Sequence, residues 1–551
     1  MTKKKSSVLK SLGCIAAGAG LSVAFPAHSE TQVAWLAFIP LLIMLRFSTP
    51  RQGFGHGFLF GLGFWLISIF WLMELRNNSG PVLLVTFGLV GLSVWCSLFS
   101  AFFGMAVAFL WQGGDSATEG WRRYWFETWR PVAVALLWCG GEYLRSTLFT
   151  GFAWNAVGVS QISFLKIAQV ASLGGVFAVS FVVLLCNAAF ANVCVRLWRN
   201  TMLREPNSTR RHPDLMLALL VLMAAIAWGN SRMITLINAQ VSAEILSIAA
   251  IDPDLPCIFM NEDEEANKRA YNNLFMNSHK MVSKESDLIV WPETSLYSSM
   301  PNPYMEEEML DFASYIGIPI LAGTTEIATN AVGTEIYRNS TFLFGTNWAV
   351  EASYSKQHLV PFGEYIPFDK TFKFLQKIAP TGVSCTPGEG PVVMEVGGVR
   401  VSPLICFEDT VAPLSRAAVN AGAQILIVQS NDAWFYGSSE AEQHNAQAVF
   451  RAIENAVPIV RSSNRGLTSA ITPYGSFITA VKAIYGENQM FLQQRIPVSK
   501  HTGKTLYSRF GDWIFGIPCA VFFCIAVIAS FKWERVKVAG QKEFSNDIYE
   551  Q

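Results

Sequence analysis

The sequence predicts a multi-span α-helical membrane domain joined to a globular α/β domain. Three observations lead there. Of the 551 residues, 51% are hydrophobic and only 15% are charged, against roughly 25% charged in an average soluble protein. Apolar segments near the length of about 20 residues that crosses a bilayer recur through residues 1–230 and once more after 511. Between Asn230 and Gly511 none occurs, and short Val/Ile-rich runs alternate there with polar helical stretches. The formal net charge is +0, which gives no ground for a nucleic-acid partner.

The predicted spans fall at 8–27, 33–45, 54–75, 82–111, 132–143, 167–195 and 215–228, with an eighth at 513–531. The second and fifth are short on a strict apolar count. The globular part reads as strands at Leu288–Val290, 318–322, Val399–Ile405 and 424–428, with helices at 262–284 and Glu440–Asn455. The domains are therefore 1–230, a membrane domain of seven helices; 231–510, a globular domain; 511–533, the eighth helix; and 534–551, a tail.

Positive charge sets the orientation. Lys3–Lys5, Arg46 with Arg51, Arg122, Arg123 and Arg130, then Arg196, Arg199, Arg204, Arg210 and Arg211, and finally Lys532, Arg535, Lys537 and Lys542 all fall on one side. The other side has Arg76, Arg145 and Lys166. Both termini are thus expected in the cytoplasm and the globular domain outside it. Lys3–Lys5 before an apolar run also fits a cleavable signal; without a clean A-x-A site near 24–27, an uncleaved first helix is the expectation. Cys14 lacks a preceding apolar region and reads as a packed helix residue rather than a lipidation site.

The ten cysteines form no CxxC pair, and the seven histidines show no HExxH spacing. No metal, cofactor or disulfide framework is expected.

Three motifs carry chemistry. In VWPETS (290–295) a strand ends at a proline and presents Glu293, where a dry setting would raise its pKa toward base function. In YSKQHLVPFGEYIPF (354–368) Lys356 precedes a Pro/Gly-rich turn bearing Glu364, an arrangement able to keep a buried cation for a developing oxyanion. In VRVSPLICFED (399–409) a core strand ends at Cys406, before a turn with Phe407, Glu408 and Asp409, as in a nucleophile held on a sharp bend. Taken alone, each motif reads first as the bland alternative: a solvated loop carboxylate, a surface lysine, an inert buried cysteine.

Together, in the order Glu293, Lys356, Cys406, these motifs resemble the nitrilase superfamily. The runs GEYLRSTLFTGFAWNAVGVSQ (141–161), HLVPFGEYIPF, ICFE (405–408), SNDAWF (430–435) and RSSNRGLTSAITPYG (461–475) extend the resemblance over most of the chain, to the apolipoprotein N-acyltransferase family. The resemblance implies an α-β-β-α sandwich for residues 231–510 and a bacterial inner-membrane location with that domain on the periplasmic side. It implies a phospholipid acyl donor, usually phosphatidylethanolamine, and diacylglyceryl apolipoproteins as acceptors. It assigns Glu293 as base, Lys356 as oxyanion stabiliser and Cys406 as nucleophile, with Glu364 in support. Glu408, Asn431, Trp434 and Phe435 are then expected to contact substrate, although Glu408 also reads as a solvated turn residue and the two aromatics as core.

Some readings stay double. Phe368, Phe372, Phe374 and Leu375 among Lys370, Lys373 and Lys377 suit either a flap resting on lipid headgroups or plain core. Glu142 and Arg145, three apart on one helical face, are expected to pair. The sequence departs from the family where a Gln-rich stretch ending in Lys-Trp is usual; residues 251–260 offer only Phe259 as a substitute aromatic. Phe407 stands where Tyr is common, and Ala153 where Pro is usual. These departures touch donor preference and rate, not the triad. A membrane-tethered amidase or nitrilase is the nearest rival, and a transporter or scaffold with an inert domain the next; few charges in the spans and no inverted repeat weaken the latter.

Overall fold

The computed structural model describes residues 3–78, 80–115, 121–202, 212–253, 271–272, 274–276, 278–280, 282–329, 333–367, 384–482, 490–499 and 504–549. The chain divides into two compact units. One holds Met1–Met73, Leu83–Ser231 and Phe510–Gln551; the other holds Glu74–Val82 and Arg232–Arg509. Assignment of Glu74–Val82 to the second unit had no signal in the sequence.

In the first unit a helix stands at each predicted span: α1 (Lys3–Ser22), α2 (Ile39–Arg46), α3 (Pro50–Ser68), α4 (Val82–Asp115), α5 (Trp121–Thr147), α6 (Val176–Met202), α7 (Pro213–Gln240) and, toward the C-terminus, Gly516–Tyr549. Among the described residues four stretches are long and apolar enough to cross a membrane: Val82–Gln112, Val176–Met202, Pro213–Gln240 and Leu506–Arg535. A fifth is possible if Pro50–Ser68 and Phe70–Asn78, bent by 41°, act as one. Val8–Ser22 and Thr31–Arg46 are apolar but shorter, and α5 carries Arg130, Glu142, Arg145 and an internal Pro131. Among the loop arginines behind the orientation argument, Arg204, Arg210 and Arg211 lie outside the described residues.

Small residues let these helices approach closely, as expected where lipid supplies no hydrophobic drive between them. A Cβ on Gly104 would come within 2.3 Å of the Gly53 carbonyl oxygen, so α3 and α4 touch backbone to backbone there. Buried polar groups find partners inside the unit: Arg196 reaches Asp214 at 2.5 Å, and the Asn187 side chain holds the backbone at Ala34 and Phe38. Glu142 and Arg145 do not form the expected ion pair. Glu142 instead accepts from Trp138 Nε1 (2.8 Å) and the Val157 N–H (2.7 Å). Arg145 donates to the Phe152 and Trp154 carbonyls and lies 4.6 Å over the Trp65 ring. The irregular 152–157 backbone takes up both side chains: its carbonyls accept from Arg145 and its Val157 N–H donates to Glu142.

Among the described residues the second unit contains two six-stranded sheets. One has the order β12 (Met490–Val498), β1 (Glu244–Asp252), β2 (Leu288–Val290), β3 (Ile320–Thr329), β4 (Glu335–Phe344), β5 (Val350–Ser355). The other runs β11 (Phe477–Lys482), β10 (Leu467–Ile471), β9 (Ile459–Asn464), β8 (Ile425–Asn431), β7 (Val399–Ile405), β6 (Met394–Val396). The central pairs β1–β2, β2–β3, β7–β8 and β8–β9 are parallel, and their residues are buried in near-continuous runs, as parallel strands covered on both faces require. Leu246, Ile248 and Val290 of one sheet share a core with Ile405, Ile427 and Val460 of the other. The outer face of the first sheet packs Trp291 and Ile320 against Met309 and Phe312 of α8 (Pro303–Ile316). Outside the second sheet, α9 (Ala412–Asn420) and α10 (Glu440–Asn455) are joined by Asn455 to Ser415, and Ser469 of β10 reaches Asn445. The layers are therefore α-β-β-α, as the resemblance implied. The expected helix at 262–284 is described only in part, and the Phe259 region and the aromatic–lysine segment 368–377 lie outside the described residues.

Candidate active site

Strand ends place the site. β2 is only three residues long, and the chain turns at Trp291-Pro292 to deliver Glu293, with Thr294 at φ +49. β7 runs into a one-turn 3₁₀ helix, Cys406–Thr410. Cys406 itself sits at φ +53, a left-handed conformation costly for a residue with a Cβ and held only where its surroundings enforce it. Lys356 follows β5, its N–H bonded to the Asn339 carbonyl at 2.8 Å. Glu364 hangs from the next turn, where Phe362 has φ +63.

These residues converge. Lys356, 1% exposed, lies 2.9 Å from Glu364 Oε1 and 3.4 Å from Glu293 Oε1. Asn339 of β4 bridges the two carboxylates, donating to Glu293 at 2.7 Å and Glu364 at 2.9 Å. The Asn431 backbone N–H holds Glu293 Oε2 at 3.0 Å, and the Val360 N–H holds Glu364 Oε2 at 2.8 Å. Burial disfavours the Lys356 ammonium, but Glu364, Glu293 and the Cys406 sulfur outweigh it and keep its pKa well above the lysine norm. Glu364 is likewise held below the usual range despite burial, by Lys356 and Asn339. The Cys406 thiol is close enough to feel Glu293, which raises its pKa, and Lys356, which lowers it; burial dominates and pushes it up to about 12. At rest the sulfur is a neutral thiol, and reaction requires a partner to take its proton.

Glu408 does not face solvent. It is fully buried and takes four donors: Gln357 N–H (2.6 Å), His358 N–H (3.1 Å), Ile405 N–H (2.8 Å) and Tyr354 Oη (2.8 Å). It thus clamps the backbone after the lysine to the backbone before the cysteine. Asn431 is buried, and its side-chain oxygen is taken by Asn464 at 2.9 Å. Trp434 and Phe435 are half-buried on the turn Asp432–Phe435, steadied by Asn78, which donates to the Trp434 carbonyl at 2.8 Å. Phe407 stacks on His358, with centroids 5.9 Å apart. Sequence reasoning missed Asn339 and Tyr354. Neither had a signal in the sequence: Asn339 stands among Arg338, Ser340 and Thr341 in the polar part of its strand, and Tyr354 reads as an ordinary strand aromatic.

A Glu–Lys–Cys cluster at strand ends of a double-sheet sandwich, its carboxylate and ammonium buried and its sulfur partly so, defines an enzyme of the carbon–nitrogen hydrolase type, here continuous with a membrane-spanning helical unit. Residues 244–488 match the family model for carbon-nitrogen hydrolases, and residues 17–189 that for the apolipoprotein N-acyltransferase N-terminal domain. The chain is similar to the apolipoprotein N-acyltransferases of Geobacter metallireducens (29% identity, 96% of each chain), Azotobacter vinelandii (29%, 91% of each) and Agrobacterium fabrum (27%, 85% of this chain and 86% of that one). An amidase structure from Nesterenkonia sp. is 19% identical over 46% of this chain and 90% of its own, with a TM-score of 0.34. Over nearly its whole length the chain is thus similar to apolipoprotein N-acyltransferases, and it is an acyltransferase of bacterial membranes.

Proposed function

We propose that this enzyme moves an acyl chain from a phospholipid, phosphatidylethanolamine foremost, to the N-terminal amine of the diacylglyceryl-cysteine of apolipoproteins, in two half-reactions through Cys406. The observation that carries this reading is a neutral thiol on a positive-φ turn beside a paired carboxylate and ammonium. Glu293 takes the Cys406 proton and the sulfur attacks the ester carbonyl. The carbonyl oxygen gains negative charge, which the Lys356 ammonium neutralises. The C–O bond breaks, the lysophospholipid leaves with the proton returned by Glu293, and a thioester remains. The lipoprotein amine then attacks the thioester, Glu293 removes its proton, and the thiol is restored.

Glu364 keeps Lys356 charged and Asn339 in place. Trp434 and Phe435 line the way in for the lipid, beside Asn431, and Glu408 acts on substrate only through the backbone it holds. The loop charges support an odd number of crossings before the catalytic unit, which places both termini in the cytoplasm and the site on the periplasmic side of the inner membrane.

The match of residues 244–488 to the carbon-nitrogen hydrolases favours one rival, transfer of the acyl group to water. Incubating the purified enzyme with labelled phospholipid and a diacylated lipopeptide separates the two readings. Labelled lipopeptide is expected, and free fatty acid without it supports the hydrolase. Cys406→Ser is expected to abolish both the acyl-enzyme seen by mass spectrometry and the transfer; undiminished transfer by this variant overturns the mechanism.

A further inference from the structure

Beside the Cys406 turn lies a second group of buried charges that the proposed chemistry does not use. Asp409 belongs to the nucleophile's own turn, Asp432 opens the turn after Asn431, α10 supplies Glu440 and His444, and β9 supplies Arg461. All five are buried. The His444 ring reaches both turns: Nε2 is 2.9 Å from Asp409 Oδ1, and Nδ1 is 3.2 Å from Asp432 Oδ1 and 3.3 Å from Glu440 Oε1. Arg461 binds Asp409 and lies 3.4 Å from Asp432 Oδ2. Ser430 and Ser463 complete the Asp432 shell at 2.5 and 2.8 Å. Asp432, Glu440 and His444 offer ligand atoms within 4.8 Å of one another, but Arg461, 3.3 Å from His444 Nδ1, already supplies the cation there.

One ring therefore connects the turn carrying the nucleophile to the turn whose backbone N–H holds Glu293. We infer that His444 is a positioning residue: as an imidazolium shared by Asp409 and Asp432 it fixes the Cys406 turn against the Glu293-holding turn, and with Glu440 it sets the charge felt by the thiol. The inference rests on the acyl-enzyme reading above.

The charge balance gives it a signature. Burial and the neighbouring Arg461 disfavour the imidazolium, but Asp409 and Asp432 outweigh them and hold the His444 pKa well above the histidine norm. Its charge in turn lowers the Cys406 pKa, while Asp432 raises it. Burial, with Asp432, raises the Glu440 pKa to about 7, against the pull of His444 and Arg461. Below that pH, His444 and Arg461 balance Asp409 and Asp432. Above it, Glu440 adds an uncompensated negative charge to the cluster, and the thiolate becomes harder to form. The groups facing Glu440 and His444 are Asp409 and Cys406 from the nucleophile turn, Ser430 and Asp432 from the end of β8, and Arg461 and Ser463 from β9.

The test uses the full chain in detergent, with iodoacetamide alkylation of Cys406 followed by mass spectrometry and acyl transfer followed in parallel. His444→Gln is expected to lower kcat at least tenfold with KM changed less than twofold. The ratio of Glu440→Gln to wild-type alkylation rates is expected to rise several-fold from pH 6 to pH 8. Wild-type kcat in His444→Gln, or a flat ratio across that range, overturns the inference; should His444→Gln fail to fold, the Glu440→Gln ratio decides alone. Alkylation needs no acyl donor. A rising ratio in an enzyme that transfers nothing from phospholipid therefore upholds the positioning role and defeats the acyltransferase reading, and a flat ratio with intact transfer does the reverse.

Discussion

Two buried charge clusters lie side by side in the catalytic unit, and they differ in what they leave open. Around Lys356 the charges are paired and held by Asn339 and two backbone N–H groups, yet Glu364 keeps 17% of its side chain exposed and Glu293 8%. Around Arg461 every member is buried to within a few per cent and locked to at least one opposite charge. Both obey the rule that charge leaves water only when paired and hydrogen-bonded. The contrast separates two uses of one device. In the proposed mechanism the cluster with access performs the chemistry, and by our inference the sealed one fixes its geometry.

Substitutions test this contrast. The largest effect is expected for Arg461→Leu, which strips Asp409 and Asp432 of their guanidinium and should cost about 3–5 kcal/mol of stability in chemical denaturation. Lys356→Met should slow acyl transfer by roughly 10²–10³-fold, the usual loss when one oxyanion-stabilising group is removed, while shifting the melting temperature less, because Glu293 and Glu364 can take up water. A Lys356→Met protein that unfolds as readily as Arg461→Leu would erase the distinction. The smallest effect is expected for Tyr354→Phe, which deprives Glu408 of one of its four donors and should cost about 1 kcal/mol by thermal denaturation.

Much of this was legible in the sequence, for physical reasons. Continuous Val/Ile runs announced buried parallel strands, and three reactive side chains stood at strand ends, where an α/β fold gathers its chemistry. Their partners were hidden. Asn339 matters only because β4 pairs with β5 and so brings it to Lys356, a register set by tertiary structure. The helix Glu440–Asn455 is a polar stretch in the sequence, yet every residue in it except Glu442 is buried. Its polarity faces other charges rather than water, and a hydropathy pattern cannot tell the two apart. Glu142 and Arg145 failed to pair for the same reason: the sequence gives their spacing, and the neighbouring loop decides their partners.

The Glu408 carboxylate has one further consequence. By gripping the peptide ahead of the sulfur and the two peptides behind the ammonium, it welds attacking atom and charge acceptor into one rigid piece. Thermal motion then carries them together and leaves their spacing intact. Any adjustment needed to admit substrate falls to other parts of the chain.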